Sequence, residues 1–362
     1  MGVRIAIGGA TGNVGRELLR ILLERGFPAD ELVPLASARS AGSVIHAAGQ
    51  TLEVRDLFEH DFAGTDILFL SAGAEVSRRI SPKAAAAGCV VIDNSSAFRL
   101  AGDVPLIVPE VNGDRIGEWQ KRRILPVGNC AAIPLAMVLA PLAREVALRR
   151  VVMSTYQSVS GAGRAGLEKL ARQSRSARYD GRSMSWPDGW GGGEAAPLAF
   201  NVVPRIGAFL EDGSTGEEEK VVAETARMLG FDVRMAVTCV RVPVMVGHSA
   251  SVNIEFASAL GAARAREILA AAPGVALLDE PDKDRFAMPL FVEGRDEVFV
   301  SRLRDDVSLD SGLSLWIVSD NLRKGAALNA VQIGEALLDD AAFRAHLARR
   351  RSSVLRLVSQ AA

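Results

Sequence analysis

The chain has 362 residues, 49% hydrophobic and 23% charged, which suits a globular fold of about two domains and excludes a peptide, a repeat tail or a disulfide-stapled miniprotein. Its 42 Lys and Arg nearly balance 43 Asp and Glu to leave a net charge of −1, so no global field draws nucleic acid or anionic lipid. Three scattered cysteines, Cys89, Cys130 and Cys239, supply neither a disulfide framework nor a metal cluster and fit a reducing compartment.

The amino terminus enters a short β-branched run with no basic region, no long apolar stretch and no small-residue cleavage site, so it does not read as a signal peptide. No uncharged run reaches the roughly 18–20 residues of a bilayer span. The expectation is a cytoplasmic protein with no membrane partner, no nucleic-acid partner and no metal.

From residue 3 the chain alternates short apolar runs with helix-like stretches: VRIAIGG, NVGRELLRILLERG, ELVPLAS, DILFLSA, AEVSRRISPKAAAAG, CVVIDNS and RRILPVGNC. That order predicts a Rossmann-type α/β domain, a parallel sheet with crossover helices, and Gly26 and Gly88 sit where helices should stop. An apolar helical run, IPLAMVLAPLAREV, follows Cys130. Beyond it come longer alternating stretches, RVVMSTYQSVS, RMAVTCVRVPVMVG, SASVNIEFAS, DEVFVSRLR and LSLWIVS, which predict a sheet with one face packed and the other available.

The aperiodic Gly/Ser-rich segment from Gln173 to Glu194 reads as a surface insertion, with Trp186 and Trp190 covering a neighbouring surface. The stretch from Asn321 to about Ser352 predicts one long helix lying back on the first domain. The predicted domains are therefore 1–130 with 321–362, and 131–320.

Gly9, Gly12 and Gly15 form G-x-x-G-x-x-G directly after the first strand, where the strand turns into a helix whose free N–H groups and positive end suit a diphosphate. The pattern is weak alone, and a structural turn competes with it, but its place in a strand–helix–strand unit favours a dinucleotide. After the second strand the sequence has Ser37, Arg39 and Ser40 and no carboxylate for ribose hydroxyls. A planar guanidinium and two hydroxyls match a 2′-phosphate, so NADP is favoured over NAD, with a solvated Arg39 as the plain alternative.

Cys130 stands at a strand-to-helix junction, where a helix dipole favours the thiolate. Cys89 and Cys239 read as inert residues inside apolar strands. His46, His60 and His346 read as solvated. His248 follows an apolar strand and a glycine, at a turn that can hold imidazole over a cleft. Taken singly, a lone Cys is more often structural and such a His more often a turn residue.

Ten ordered segments carry a resemblance: GATGNVG at 9–15, LASARSAG at 35–42, DNSSAFR at 93–99, VPEVN at 108–112, GNC at 128–130, STYQSVSGAG at 154–163, AFNVVPRIGAF at 199–209, EEEKVVAET at 217–225, RVPVMVGHS at 241–249 and LWIVSDNLRKGAALNAVQI at 315–333. Together they resemble the aspartate-β-semialdehyde dehydrogenase family across nearly the whole chain. The resemblance implies a catalytic, substrate-binding and dimerisation domain built on a large mixed sheet, and a homodimer or homotetramer. It implies NADPH-dependent reduction of L-aspartyl-4-phosphate to the semialdehyde, with Cys130 as nucleophile, Asn129 beside it, Gln157 orienting the acyl group and His248 as acid–base residue.

It further implies that Arg241 grips the substrate α-carboxylate and Glu217 receives its amino group, while Arg99, Lys220 and Asn94 serve the phosphate. Gly9, Thr11, Gly12, Asn13, Val14, Gly15, Ser37, Arg39 and Ser40 would hold the cofactor, with Ser160, Gly161 and Gly163 as a second loop and Asn329 and Gln332 near the nicotinamide. Glu217 and Lys220 lie three apart on one helical face, and without the resemblance an exposed ion pair is the simpler reading.

The chain departs from the family at Gly128, Ala131, Ala132 and Pro134, where the family usually has Pro before the Asn, Ser-Thr after the Cys and Gln beyond. An alternative is N-acetyl-γ-glutamyl-phosphate reductase, which shares the thiolate, histidine and NADPH logic but takes an acylated substrate. A second is a non-catalytic NADP-binding paralogue.

Overall fold

The structure, a computed structural model, describes residues 2–47, 49–185 and 196–361, with side chains to residue 351. The chain divides into two compact units, Met1–Gly128 with Ala326–Ala362, and Asn129–Gly325, so Asn129 and Cys130 open the second unit.

The first unit is built on a six-stranded parallel sheet in the spatial order Arg55–Asp56, Ala29–Ala36, Val3–Gly8, Ile67–Leu70, Val90–Asp93, Ile124–Pro126. Ile67–Leu70 and Val90–Asp93 are buried throughout, as strands covered on both faces require. The order runs outward from Val3–Gly8 in both directions, the doubly wound pattern whose switch point lies between that strand and Ile67–Leu70.

Helix Asn13–Glu24 buries Leu18, Leu19, Ile21 and Leu22 and exposes Arg16 and Arg20. It stops at Gly26, φ +61°, where the Phe27 and Gly26 N–H groups close on Leu22 and Leu23 carbonyls. Helix Ala74–Ala86 ends at Gly88, φ +86°, in the same way. Cys89 precedes its strand and is fully buried.

The terminal stretch differs from the single helix expected. A π-helical turn at Arg323–Ala327 leads into Leu328–Asp339, and a second helix follows at Ala341–Ala361. Asp340 makes the break: its Oδ1 accepts both the Phe343 N–H and the indole N–H of Trp119, a cap that a continuous helix would forfeit. His346 is not solvated. Only 9% exposed, it contacts Trp119 and Phe343 and places Nε2 2.8 Å from the Gly88 carbonyl oxygen. His60 is likewise half-buried, against Phe62 and Thr65.

The second unit has a six-stranded mixed sheet, ordered Met235–Arg241, Leu148–Gln157, His248–Phe256, Gly312–Ser319, Val298–Asp305, Val275–Leu277. Its outer pairs are parallel and its inner pairs antiparallel. Helices Ala132–Glu145, Gly216–Leu229 and Ala262–Ala270 pack on one face. The first of these is buried nearly all round, which fits its unbroken apolar sequence. On the other face Tyr156 and Trp316 meet at 5.2 Å among Ser154, Ser251 and Ser314.

The expected insertion begins later than predicted. Gln173 lies within helix Gly163–Ser176, and its buried Oε1 accepts the Leu198 and Ala199 N–H groups. A short hairpin, Arg178–Tyr179 with Met184–Ser185, follows; Trp186 and Trp190 lie outside the described residues. Among the described residues no helix is long and apolar enough to cross a membrane.

Gly15 marks a close backbone contact within the first turn. A Cβ there would stand 2.2 Å from the Gly9 carbonyl oxygen. Gly15→Ala is expected to destabilise the protein by about 1–3 kcal/mol, because the clash is with backbone that cannot rotate away. Urea denaturation measures this, and a midpoint equal to that of the parent would contradict it.

Candidate active site

Asn129 organises the turn that carries Cys130. Its Oδ1 accepts the Ala131 N–H at 2.8 Å, and its carbonyl oxygen accepts the Ala132 and Ile133 N–H groups at 3.0 Å each. These are the first donors of helix Ala132–Glu145, and Pro134 has none. The helix start therefore offers Cys130 its dipole but not the N–H groups of those residues, a weaker source of thiolate stabilisation than the sequence suggested.

Carboxylates from helix Gly216–Leu229 hold this turn from behind. Glu224, 1% exposed, accepts the Asn129 N–H at 2.5 Å. Glu217 Oε1 accepts the Asn129 amide at 2.8 Å and the Gln157 amide at 3.3 Å. Glu217 also pairs with Lys220 at 3.6 Å, the i,i+3 contact foreseen as the simpler reading. Glu218 closes a capping box with Thr215 and accepts the Cys239 N–H at 2.8 Å. Gln157 takes a further bond on Oε1 from the Thr155 hydroxyl. Gly325 packs on the cysteine backbone, and a Cβ there would lie 3.0 Å from the Cys130 Cβ.

Cys130 is partly exposed, whereas Cys89 and Cys239 are buried. Burial pushes the Cys239 thiol up to about 12 and the Cys89 thiol higher still.

Ser158 joins two of the predicted residues. Its carbonyl accepts Arg241 Nη1 at 2.6 Å, and its N–H donates to His248 Nδ1 at 3.1 Å. Its hydroxyl lies 3.0 Å from the same nitrogen, 2.9 Å from Asn321 Oδ1 and 3.0 Å from the Ser160 hydroxyl. Asn321 Oδ1 also receives the Ser160 hydroxyl and the Gly247 N–H, at 3.1 and 2.9 Å. Ser160, expected in a cofactor loop, is thus buried within the support of His248.

His248 Nε2 is buried without a hydrogen-bond partner among the described residues, as is Ser319 Oγ. Both residues line a small cavity shared with Cys130, Ala131 and Pro134. Burial first, and then the Arg241 charge, lower the His248 pKa to about 3. Arg241 is lowered by burial, opposed by the attraction of a Cys130 thiolate and Glu217. Gly161 lies close against both, and a Cβ there would sit 3.3 Å from Arg241 Nη1 and from His248 Nε2, a tight contact that would press on both side chains. Gly163, φ +77°, makes the following turn.

In the first unit, Gly9 has φ +79°, and a Cβ on it would strike the Ser71 carbonyl at the neighbouring strand end. Thr11, Asn13 and Val14 are half-buried around exposed Gly12, and the Asn13 amide nitrogen is buried with no partner among the described residues. Ser37 and Arg39 are exposed and Ser40 half-buried in the turn after Ala29–Ala36. A glycine cradle, an orphaned donor and an exposed guanidinium fit the diphosphate and 2′-phosphate of a dinucleotide.

Both side-chain polar atoms of Asn94 are buried and unpartnered among the described residues, at the end of strand Val90–Asp93. Arg99 donates to the Asn94 carbonyl at 2.8 Å. Asp93, whose pKa burial raises, accepts bonds from Ser77 and from Ser95 and so fixes this loop. Asn329, expected beside the nicotinamide, is 0% exposed, and its amide donates to the Ile107 carbonyl; Gln332 donates to Glu110.

The sequence reading missed Ser158, Glu224, Asn321 and Gly325. Glu224 left a signal, because Glu217, Val221, Glu224 and Met228 share one helical face by spacing, which turns the two acids inward with the apolar residues. Asn321 left none, since it lies 163 positions from Ser158.

The His248 surroundings set a pH dependence. Between about 3 in the folded protein and about 6.5 unfolded, the unfolded chain binds one more proton, so this stabilisation is complete above about pH 6.5 and is lost as pH falls toward 3. His248→Asn is expected to lose less stability than the parent between about pH 6 and 4. Urea midpoints measured over that range test it, and equal slopes would count against a buried neutral imidazole.

Residues 4–119 match the family model described as semialdehyde dehydrogenase, NAD binding domain, and residues 139–324 the model described as its dimerisation domain. An aspartate-semialdehyde dehydrogenase of Aquifex aeolicus is 45% identical over 94% of this chain and 99% of its own length. One from Rickettsia bellii is 47% identical over 92% and 97%. The crystal structure of aspartate semialdehyde dehydrogenase II from Vibrio cholerae superposes with a TM-score of 0.87 at 40% identity, covering 94% of this chain and all of that one. The glycine-bearing parallel sheet, the cysteine turn and these full-length matches place the chain in the aspartate-semialdehyde dehydrogenase family.

Proposed function

We propose that this protein catalyses the reversible, NADPH-dependent reductive dephosphorylation of L-aspartyl-4-phosphate to L-aspartate-4-semialdehyde and phosphate, through an acyl group carried on Cys130. The observation that carries the reading is the convergence of Arg241 and His248 on Ser158, with His248 lining one cavity with Cys130. The solved Vibrio cholerae relative complexed with ASA, 40% identical, supports the substrate. The step belongs to the aspartate route toward lysine, threonine and methionine, in the cytoplasm.

In this reading the Cys130 thiolate attacks the acyl carbon, the carbon–oxygen bond to phosphate breaks, and phosphate takes its proton from solvent. Bound NADPH supplies hydride to the thioester carbon. The resulting oxyanion collapses to the aldehyde and expels the thiolate. His248 faces the reacting oxygen through Nε2, and Gln157, tethered by Glu217, orients the acyl group.

Arg241 presents a two-pronged guanidinium to the substrate carboxylate, and Glu217 receives the ammonium group. Lys220, Arg99 and Asn94 serve the phosphate. Gly9, Gly12, Asn13 and Gly15 would hold the diphosphate, with Arg39 and its flanking serines on the 2′-phosphate. The open Tyr156–Trp316 face of the mixed sheet is the surface we assign to a homodimer, in keeping with the dimerisation model matched by residues 139–324.

Phosphate-dependent NADP reduction by L-aspartate semialdehyde is the test. The parent is expected to turn over that substrate and not N-acetylglutamate semialdehyde, and Cys130→Ala to lose at least about 10³-fold in kcat. Equal rates for parent and variant would remove the assigned nucleophile. Arg39→Ala is expected to raise KM for NADP by about tenfold and leave NAD nearly unchanged; an unaltered ratio of the two would exclude phosphate recognition by Arg39.

A further inference from the structure

His248 is held on its Nδ1 side by two groups of Ser158. The backbone N–H at 3.1 Å points its hydrogen at Nδ1, which must therefore be the unprotonated nitrogen. The hydroxyl, 3.0 Å from the same nitrogen, supplies it with a second donor and also lies 2.9 Å from Asn321 Oδ1. Asn321, 2% exposed, braces this arrangement: its Oδ1 lies within 3.1 Å of the Ser158 and Ser160 hydroxyls and accepts the Gly247 N–H, and its Nδ2 donates to Ser160 Oγ. A neutral imidazole with a bare Nδ1 carries its hydrogen on Nε2, the buried atom that lacks a partner.

We propose that Ser158 and Asn321 are positioning residues that lock His248 as the Nε2–H tautomer, so that the ring serves as a neutral hydrogen-bond donor to the reacting oxygen and not as a base for the Cys130 thiol. The part about the reacting oxygen rests on the proposed reaction; the tautomer rests on the hydrogen bonds alone. The chemistry balances without a proton from the ring. Thiolate displaces phosphate, hydride converts the thioester to an alkoxide, and the alkoxide expels the same thiolate. Each intermediate oxyanion needs a donor, and none needs a proton.

The charged groups that face the ring agree with this. Arg241 reaches the carbonyl of the same Ser158 from strand Met235–Arg241 and opposes imidazolium formation; Cys130 lines the shared cavity from the helix start. From strand Gly312–Ser319 the facing residue is Ser319, opposite His248 in the antiparallel register, and from the segment beyond it Asn321, both uncharged. Among the described residues no carboxylate is hydrogen-bonded to the ring to steady a second proton.

Nitrogen-15 NMR of the full chain labelled at histidine decides the tautomer without substrate, and His248→Asn identifies the signal among four histidines. The expected spectrum has a protonated-type Nε2 and a bare-type Nδ1, unchanged from about pH 8 to 5. A protonated Nδ1, or conversion to imidazolium within that range, overturns the proposal.

Asn321→Asp tests the positioning role, because a carboxylate keeps the acceptor toward Ser158 and the Gly247 N–H, gives up the Nδ2 donation to Ser160 and adds a charge beside the ring's support. It is expected to raise the His248 midpoint and to give kcat an acid limb absent from the parent, with a loss of about tenfold below it and KM for the semialdehyde within about threefold. A folded variant with the parent's pH profile and histidine spectrum would show a merely structural asparagine. Ser158→Ala cuts the same chain at its middle and is expected to lower kcat by about tenfold with KM little changed; an unchanged kcat would exclude the hydroxyl. Failure of the parent to use L-aspartate semialdehyde would sink the proposed reaction while the NMR still decides the tautomer.

Discussion

Three carboxylates on one helix hold the catalytic half of this protein in register. Glu217, Glu218 and Glu224, spaced along Gly216–Leu229, accept hydrogens from the Asn129 amide and backbone, the Gln157 amide and the Cys239 backbone. A hydrogen bond to an ionised acceptor contributes about 1.5–3 kcal/mol, and these bonds connect a turn, two strands and a helix that apolar packing alone could let slide. The Cys130 turn is thus positioned by acids behind it, and the cysteine itself stays partly exposed.

Ser158 turns its carbonyl to Arg241, its N–H to His248 and its hydroxyl to His248 and Asn321. Cation and imidazole meet the two backbone groups of one residue, whose carbonyl accepts a hydrogen from the first and whose N–H donates one to the second. Those bonds hold the guanidinium and leave Nδ1 an acceptor, while burial and the Arg241 charge disfavour imidazolium. Small residues complete the site where side chains would intrude, at Gly161 and Gly325.

The parallel-sheet unit was legible because strands such as Val3–Gly8, Ile67–Leu70 and Val90–Asp93 are buried apolar runs, and two of its helices end at glycines that adopt positive φ, Gly26 and Gly88. Period and punctuation are local signals. The cysteine, histidine and arginine stood out by residue type within recognisable motifs. What was not legible depends on distance along the chain. Asp340 interrupts the last helix because Trp119 reaches it, and His346 is buried because the Gly88 turn receives it, contacts that span 221 and 258 positions. Asn321 likewise reads as one more polar residue in a loop until the strands are paired.

The contrast among the three sulfurs has a practical side. Two thiols are buried, which holds them protonated, and the third stands partly open and is attracted by the Arg241 cation. A mild electrophile would therefore meet one address on the folded molecule, and the stoichiometry of its adduct would count intact sites without any turnover being measured.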